Sequence, residues 1–176
     1  VGRHADAERV LLDAHELDPL STRANKALGS LYVEWDKPTL AEVYFRAVVD
    51  AAKDAKSKFG LADYYVRTGR YPDAFRTLED IATDPDQYVA AKTQIALLEF
   101  ASGRRVRAEE IINDVLQRAP RNASALTTKA RLLLVQERTD DALASIKMAV
   151  AINPNIADTQ LTLARVYISK NNLEEA

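Results

Sequence analysis

One motif recurs along this chain at a nearly constant interval. The stretches GRHADAERVLLDAHELDP, GRYPDAFRTLEDIATDP and GRRVRAEEIINDVLQRAP begin at Gly2, Gly69 and Gly103, and they align on their glycines without gaps. The last two start 34 residues apart, and the first starts two such periods earlier, less one residue. Similarity at a fixed period of this size predicts stacked helical hairpins, because one hairpin alone cannot bury its apolar face.

The segments between these stretches repeat with the same period. A large apolar residue followed by a small one occurs at Leu28-Gly29, Leu61-Ala62, Ile95-Ala96 and Leu163-Ala164. A second small residue recurs with a large apolar residue one turn later, at Ala41 and Phe45, Ala74 and Leu78, Ala108 and Ile112, and Ala142 and Ile146. Small residues at these two places let the helices of one hairpin approach closely, and the large residues fill the space between hairpins.

This pattern resembles the tetratricopeptide repeat (TPR), a helix–turn–helix unit of about 34 residues. The resemblance implies an all-α fold, a right-handed α-solenoid of about ten helices in a single domain over residues 1–176. Full repeats are expected at 22–54, 55–88, 89–122 and 123–156. Residues 1–21 would form only a second helix and residues 157–176 only a first helix, so we expect a fragment of a longer array.

The first full repeat departs from the pattern. It is one residue short, it has Lys53 where the pattern has proline, and the segment EWDKP replaces the glycine of the turn between its helices. The stretch VVDAAKDAKSKFG has no helix breaker before Gly60. The sequence therefore leaves two alternatives there, a long second helix or an unusually tight turn.

The composition argues against several classes of function. The net charge of −2 predicts no general attraction to nucleic acid or anionic membranes, and a chain without cysteine has no disulfide or thiolate metal site. His4 and His15 are too far apart on one predicted helix to share a metal. Glycine-rich phosphate loops are also absent. We therefore expect no catalytic residue, metal or cofactor, no RNA readout of the pentatricopeptide kind and no direct membrane insertion.

A basic cluster lies at Arg104, Arg105 and Arg107. It is either a solvated turn or a binding site for an acidic partner.

The resemblance also implies where a partner would bind. In TPR solenoids the first helices line a concave groove, and the matching positions here are Arg23, Lys26, Val33, Lys56, Phe59, Asp63, Val66, Leu97, Phe100, Arg131, Leu134, Leu161, Arg165 and Ile168. One position of the repeat is apolar each time it occurs, at Val33, Val66, Phe100, Leu134 and Ile168. This indicates either packing between neighbouring helices or a contact stripe for a peptide. The carboxylate clamp of chaperone-binding TPR domains is matched only by Lys26.

We therefore predict a non-catalytic scaffold or adaptor that binds a peptide or protein segment in this groove. Two alternatives remain open. The first is a spacer in a larger bacterial envelope, export or exopolysaccharide-assembly protein, and the second is a regulatory region of an enzyme whose catalytic domain lies outside these residues. The location would be cytoplasmic or periplasmic. Head-to-tail self-association is also expected if Leu163, Ala164 and Tyr167 lie open on the last helix.

Overall fold

The computed structural model describes the backbone of residues 2–174 and the side chains of residues 5–170. The described residues form ten α-helices and no strand, which confirms the all-α repeat fold. The helices are α1 (Gly2–Leu17), α2 (Thr22–Glu34), α3 (Pro38–Ala52), α4 (Ala55–Arg67), α5 (Tyr71–Ile81), α6 (Tyr88–Ala101), α7 (Arg105–Arg118), α8 (Ala123–Val135), α9 (Thr139–Ile152) and α10 (Ala157–Glu174). Among the described residues, none of these helices has both the length and the apolar character that a membrane span requires.

The chain divides into two compact units, Val1–Ile81 with α1 to α5 and Ala82–Ala176 with α6 to α10. In the first unit each helix packs against the next along the chain. In the second unit the helices of each hairpin also pack together, and α8 contacts both α6 and α10. Each unit is described by itself below.

Small residues lie where the two helices of a hairpin meet. The alanines of the second helices, Ala41, Ala74, Ala108 and Ala142, are fully buried. On α2 the matching small residue is Gly29, where an added Cβ would lie 2.9 Å from ring carbons of Phe45. The pattern of small and large residues therefore predicts the helix contacts correctly, because a hairpin of this type closes only where side chains are short.

The turns between paired helices share one backbone conformation. The residue at the turn has a positive φ at Asp36, Gly69, Gly103 and Glu137. In each turn the next residue donates its amide N–H to the carbonyl five residues earlier, at distances of 2.8–3.0 Å. This is the hydrogen bond of a Schellman cap, which satisfies carbonyls that a helix end leaves free.

The irregular exit of the first full repeat is a tight turn. Helix α3 ends at Ala52, Lys53 adopts the left-handed conformation and Asp54 caps α4 by accepting the Ser57 amide at 2.7 Å. Only two residues therefore connect α3 to α4, whereas four residues connect α7 to α8. The alternative of an extended second helix is wrong, because the carboxylate of Asp54 stabilises a new helix start at that point.

Candidate functional site

The first helices of neighbouring repeats are spaced differently in the two units. Helices α6 and α8, and α8 and α10, contact each other directly. Among the described residues, α2 and α4 make no such contact. A cavity of about 280 Å³ opens there, lined by α2, the last two turns of α3 and the start of α4. Asp54, the second residue of the two-residue link between α3 and α4, lies in the lining of this cavity.

Three basic side chains of the predicted groove line this cavity. Arg23 and Lys26 lie one turn apart on the same face of α2, and Lys56 lies in the first turn of α4. All three are exposed, and none forms an ion pair with a described residue. Asp54 is the only carboxylate in the lining, and the hydrogen bond from the Ser57 amide lowers the pKa of Asp54. The cavity therefore carries an excess of positive charge at neutral pH.

The remaining surface of the cavity is apolar. Phe45, Val48 and Ala52 line it from α3, and Gly60 lines it from α4. The ring of Phe45 is nearly buried and stacks on the ring of Tyr64, with 4.9 Å between the ring centroids. A Cβ built at Gly60 would meet no atom within 4 Å, so the missing side chain leaves open space. The site thus combines cations with an apolar wall.

The other predicted groove residues of the first unit lie outside the cavity lining. Val33 and Phe59 are half-buried, whereas Asp63 and Val66 are exposed on α4. The structure therefore brings together the basic members of the predicted set in this unit and places the apolar members elsewhere on the same two helices.

In the second unit the predicted groove residues divide into packed and exposed groups. Leu97, Phe100 and Leu134 are half-buried, and the last two pack against the apolar clusters of α6 to α10. Leu161, Arg165 and Ile168 are exposed on α10, with Ile168 at 62%. The apolar stripe is thus part packing surface and part exposed surface.

Arg131 does not serve as a free cation at the edge of a groove. Its guanidinium forms an ion pair with Asp158 and donates to Thr162 Oγ1 at 3.2 Å. One turn away, the buried hydroxyls of Thr127 and Thr159 lie 2.9 Å apart. These contacts join α8 to α10, so the side chain at this position holds the two first helices together.

The turns carry an ion-pair network that the repeat pattern did not predict. Arg70 bonds to Glu42 of the preceding repeat and to Asp73 at 2.7 Å. Burial opposes ionisation of Glu42, but hydrogen bonds from Arg70, Tyr65 and Arg46 outweigh it and lower its pKa to about 2. Arg138 bonds in the same way to Glu109 at 3.1 Å. The sequence does contain a sign of this network, because arginine recurs every 34 residues at Arg70, Arg104 and Arg138.

The remaining candidates are ordinary surface groups. The side chain of His4 lies outside the described residues, and the half-buried His15 ring packs edge-on against Tyr44, with 5.4 Å between centroids. Arg104 bonds to Glu99, and Arg107 lies 3.2 Å from Glu110. Within the described part of the chain, no three histidine or acidic side chains are grouped as metal ligands.

Comparison with known proteins agrees with this architecture. Residues 40–176 match the family model described as ChAPs (Chs5p-Arf1p-binding proteins). Anaphase-promoting complex subunit 7 of Arabidopsis thaliana is 26% identical over 151 residues, which are 84% of this chain and 26% of that protein. Human protein O-mannosyl-transferase TMTC1 is 23% identical over 148 residues, 84% of this chain and 17% of that protein. The chain thus matches about a quarter or less of either relative.

A solved structure shows the same fold at low identity. The thermophilic TPR protein TTC0263 of Thermus thermophilus superposes with a TM-score of 0.66 and 20% identity, covering 95% of this chain and 92% of that one. The chain is therefore built of TPR-type helical repeats. Because similar proteins come from plants, mammals and bacteria, the predicted bacterial origin stays a prediction.

Proposed function

Since this chain belongs to the ChAPs family, the Chs5p-Arf1p-binding proteins, we propose that it is a non-catalytic scaffold that binds a segment of a partner protein on α2 and α4. The family description names two proteins that its members bind, so proteins are the first partners to test. The observation that carries the proposal is the open cavity between α2 and α4, where the corresponding first helices of the second unit are in contact.

Two features of the site support binding of an extended segment. The basic side chains project from successive first helices and are not used in ion pairs, so they are available to a partner. The cavity supplies apolar surface from Phe45, Val48 and Ala52, and Val66, outside the cavity on α4, is an apolar side chain that is 37% exposed. A peptide lying across both helices would therefore meet charge and apolar area together, as recurring modes of peptide recognition require.

Selection from a displayed library of short random peptides, with the purified chain as bait, tests the proposal. We expect enriched peptides to protect amides of α2 and α4 from hydrogen exchange more than those of α8 and α10. Val66→Asp should weaken their binding by about fivefold, because it places a charge against apolar contact area. Val106→Asp on α7, which is 75% exposed, is the matched control. Protection confined to the second unit would contradict the proposal.

A second candidate is a regulatory region beside a catalytic domain. The match to TMTC1, a transferase by name, favours it, because the matched segment is only 17% of that protein. Sequencing the complete reading frame that contains this chain tests it. A reading frame without a catalytic domain would eliminate this candidate and leave the scaffold.

A further inference from the structure

We propose that the cavity between α2 and α4 receives an acidic side chain, Asp or Glu, of the bound segment, next to an apolar residue of the same segment. This inference rests on the proposed function and names the chemistry of its partner.

The charge balance of the cavity favours a carboxylate. The cavity lining has three basic side chains, Arg23, Lys26 and Lys56, and only one acid, Asp54. The carboxylate of Asp54 already accepts a hydrogen bond from the Ser57 amide. Some other basic residues of this unit are paired, as Lys58 is with Asp80 at 2.6 Å and Arg46 with Glu42 at 2.9 Å. Unpaired cations beside a low-dielectric wall attract an anion more strongly than the same cations on an open surface do.

The volume and the apolar wall of the cavity indicate how large the bound group is and what lies next to the acid. A volume of about 280 Å³ lies just below the range of about 300–1,000 Å³ that sites for drug-sized ligands occupy, so one or two side chains fit better than a nucleotide cofactor. The apolar wall of Phe45, Val48 and Ala52 would contact an aliphatic or aromatic neighbour of the acid. Gly60 keeps this space open, since a larger residue there would project into it.

The peptides selected above, labelled with fluorescein, test the inference by fluorescence anisotropy. We expect each to contain Asp or Glu beside a large apolar residue. Replacing that acid with its amide should weaken binding by up to about fivefold, since it removes an attraction between exposed charges. Lys26→Glu should weaken binding by about tenfold, since charge reversal turns that attraction into a repulsion. Lys147→Glu is the control: it makes the same charge change at an exposed site on α9, and it should alter affinity by no more than about twofold.

A second variant separates loss of the site from loss of the fold. Gly60→Leu should abolish binding without lowering the unfolding midpoint, because leucine is a good helix former and no atom blocks its Cβ. Peptides that lack acids, that bind Lys26→Glu unchanged or that still bind Gly60→Leu would overturn the inference and leave the scaffold function in place. Stronger binding of a thymidine oligonucleotide than of any peptide would also overturn it. Enrichment of no peptide at all would instead contradict the proposed function.

Discussion

Gly29 and Gly60, two helical glycines of the first unit, should respond in opposite directions to the same substitution. Gly29 and Gly60 both lie inside helices, where replacement by alanine gains about 1 kcal/mol of intrinsic helix stability. At Gly60 nothing lies within 4 Å of the new Cβ. At Gly29 the new Cβ would lie 2.9 Å from Cδ2 and Cε2 of Phe45.

The expected magnitudes follow from this difference in space. Gly60→Ala should raise the free energy of unfolding by about 1 kcal/mol, since the propensity gain is unopposed. Gly29→Ala adds overpacking of about 1–3 kcal/mol, because the Phe45 ring stacks on Tyr64 and cannot move away freely. It should therefore lower the free energy of unfolding by about 1 kcal/mol, which leaves about 2 kcal/mol between the two variants.

Urea unfolding followed by tryptophan fluorescence measures this difference. Trp35 is the single tryptophan, and its ring lies 6.0 Å from that of Tyr32, so its emission reports on the first unit. The slope of the unfolding free energy against urea should stay constant, because neither variant changes the surface exposed on unfolding. An equal rise of the midpoint in both variants would refute the argument that close packing requires glycine at position 29.

Three further predictions concern polar contacts. The pKa of Glu42 is about 2 in the folded chain against an ordinary 4.5, so its ion pairs should stabilise the fold above pH 4.5 and lose that effect between pH 4.5 and about 2. Glu42→Gln should cost about 2 kcal/mol at neutral pH and flatten the decline in that window, as measured by urea titrations across pH. Thr127→Val should cost about 2 kcal/mol, because it leaves the buried hydroxyl of Thr159 without its partner. Thr159→Val should cost less than about 1 kcal/mol, because the Thr127 hydroxyl still donates to the Ala123 carbonyl at 2.8 Å; equal losses in thermal unfolding would contradict this. Arg131→Gln should leave peptide affinity within about twofold of wild type and cost about 0.5 kcal/mol, and a larger loss of affinity would return Arg131 to the binding site.

The helix pairing could be predicted from the sequence because it depends on residue size at fixed intervals. Ala108 and Ala142 are fully buried where the period requires small side chains, and Ile112 and Ile146 fill the space beside them. Which side chains are buried depends only on one hairpin and its neighbours, and the same size pattern recurs in each repeat of about 34 residues.

The charged contacts could not be predicted in the same way. Whether Arg131 faces solvent or bonds to Asp158 depends on how far apart α8 and α10 lie, and a shift of a few ångströms decides between the two. The cavity depends likewise on the missing contact between α2 and α4. The sequence marked this place as irregular through Lys53 and the short repeat, but spacing between helices is a property of the packed chain.

The four turns of positive φ between the paired helices of a repeat affect how the sequence can change there. Asp36 and Glu137 hold the same backbone shape as Gly69 and Gly103, although a non-glycine residue pays about 1 kcal/mol or more for it. The shape is therefore imposed by the two helices that meet there, and the residue at the bend is free to vary. Glycine at both places should therefore raise the free energy of unfolding by relieving that backbone strain, a margin that a redesign of the cationic surface could draw on.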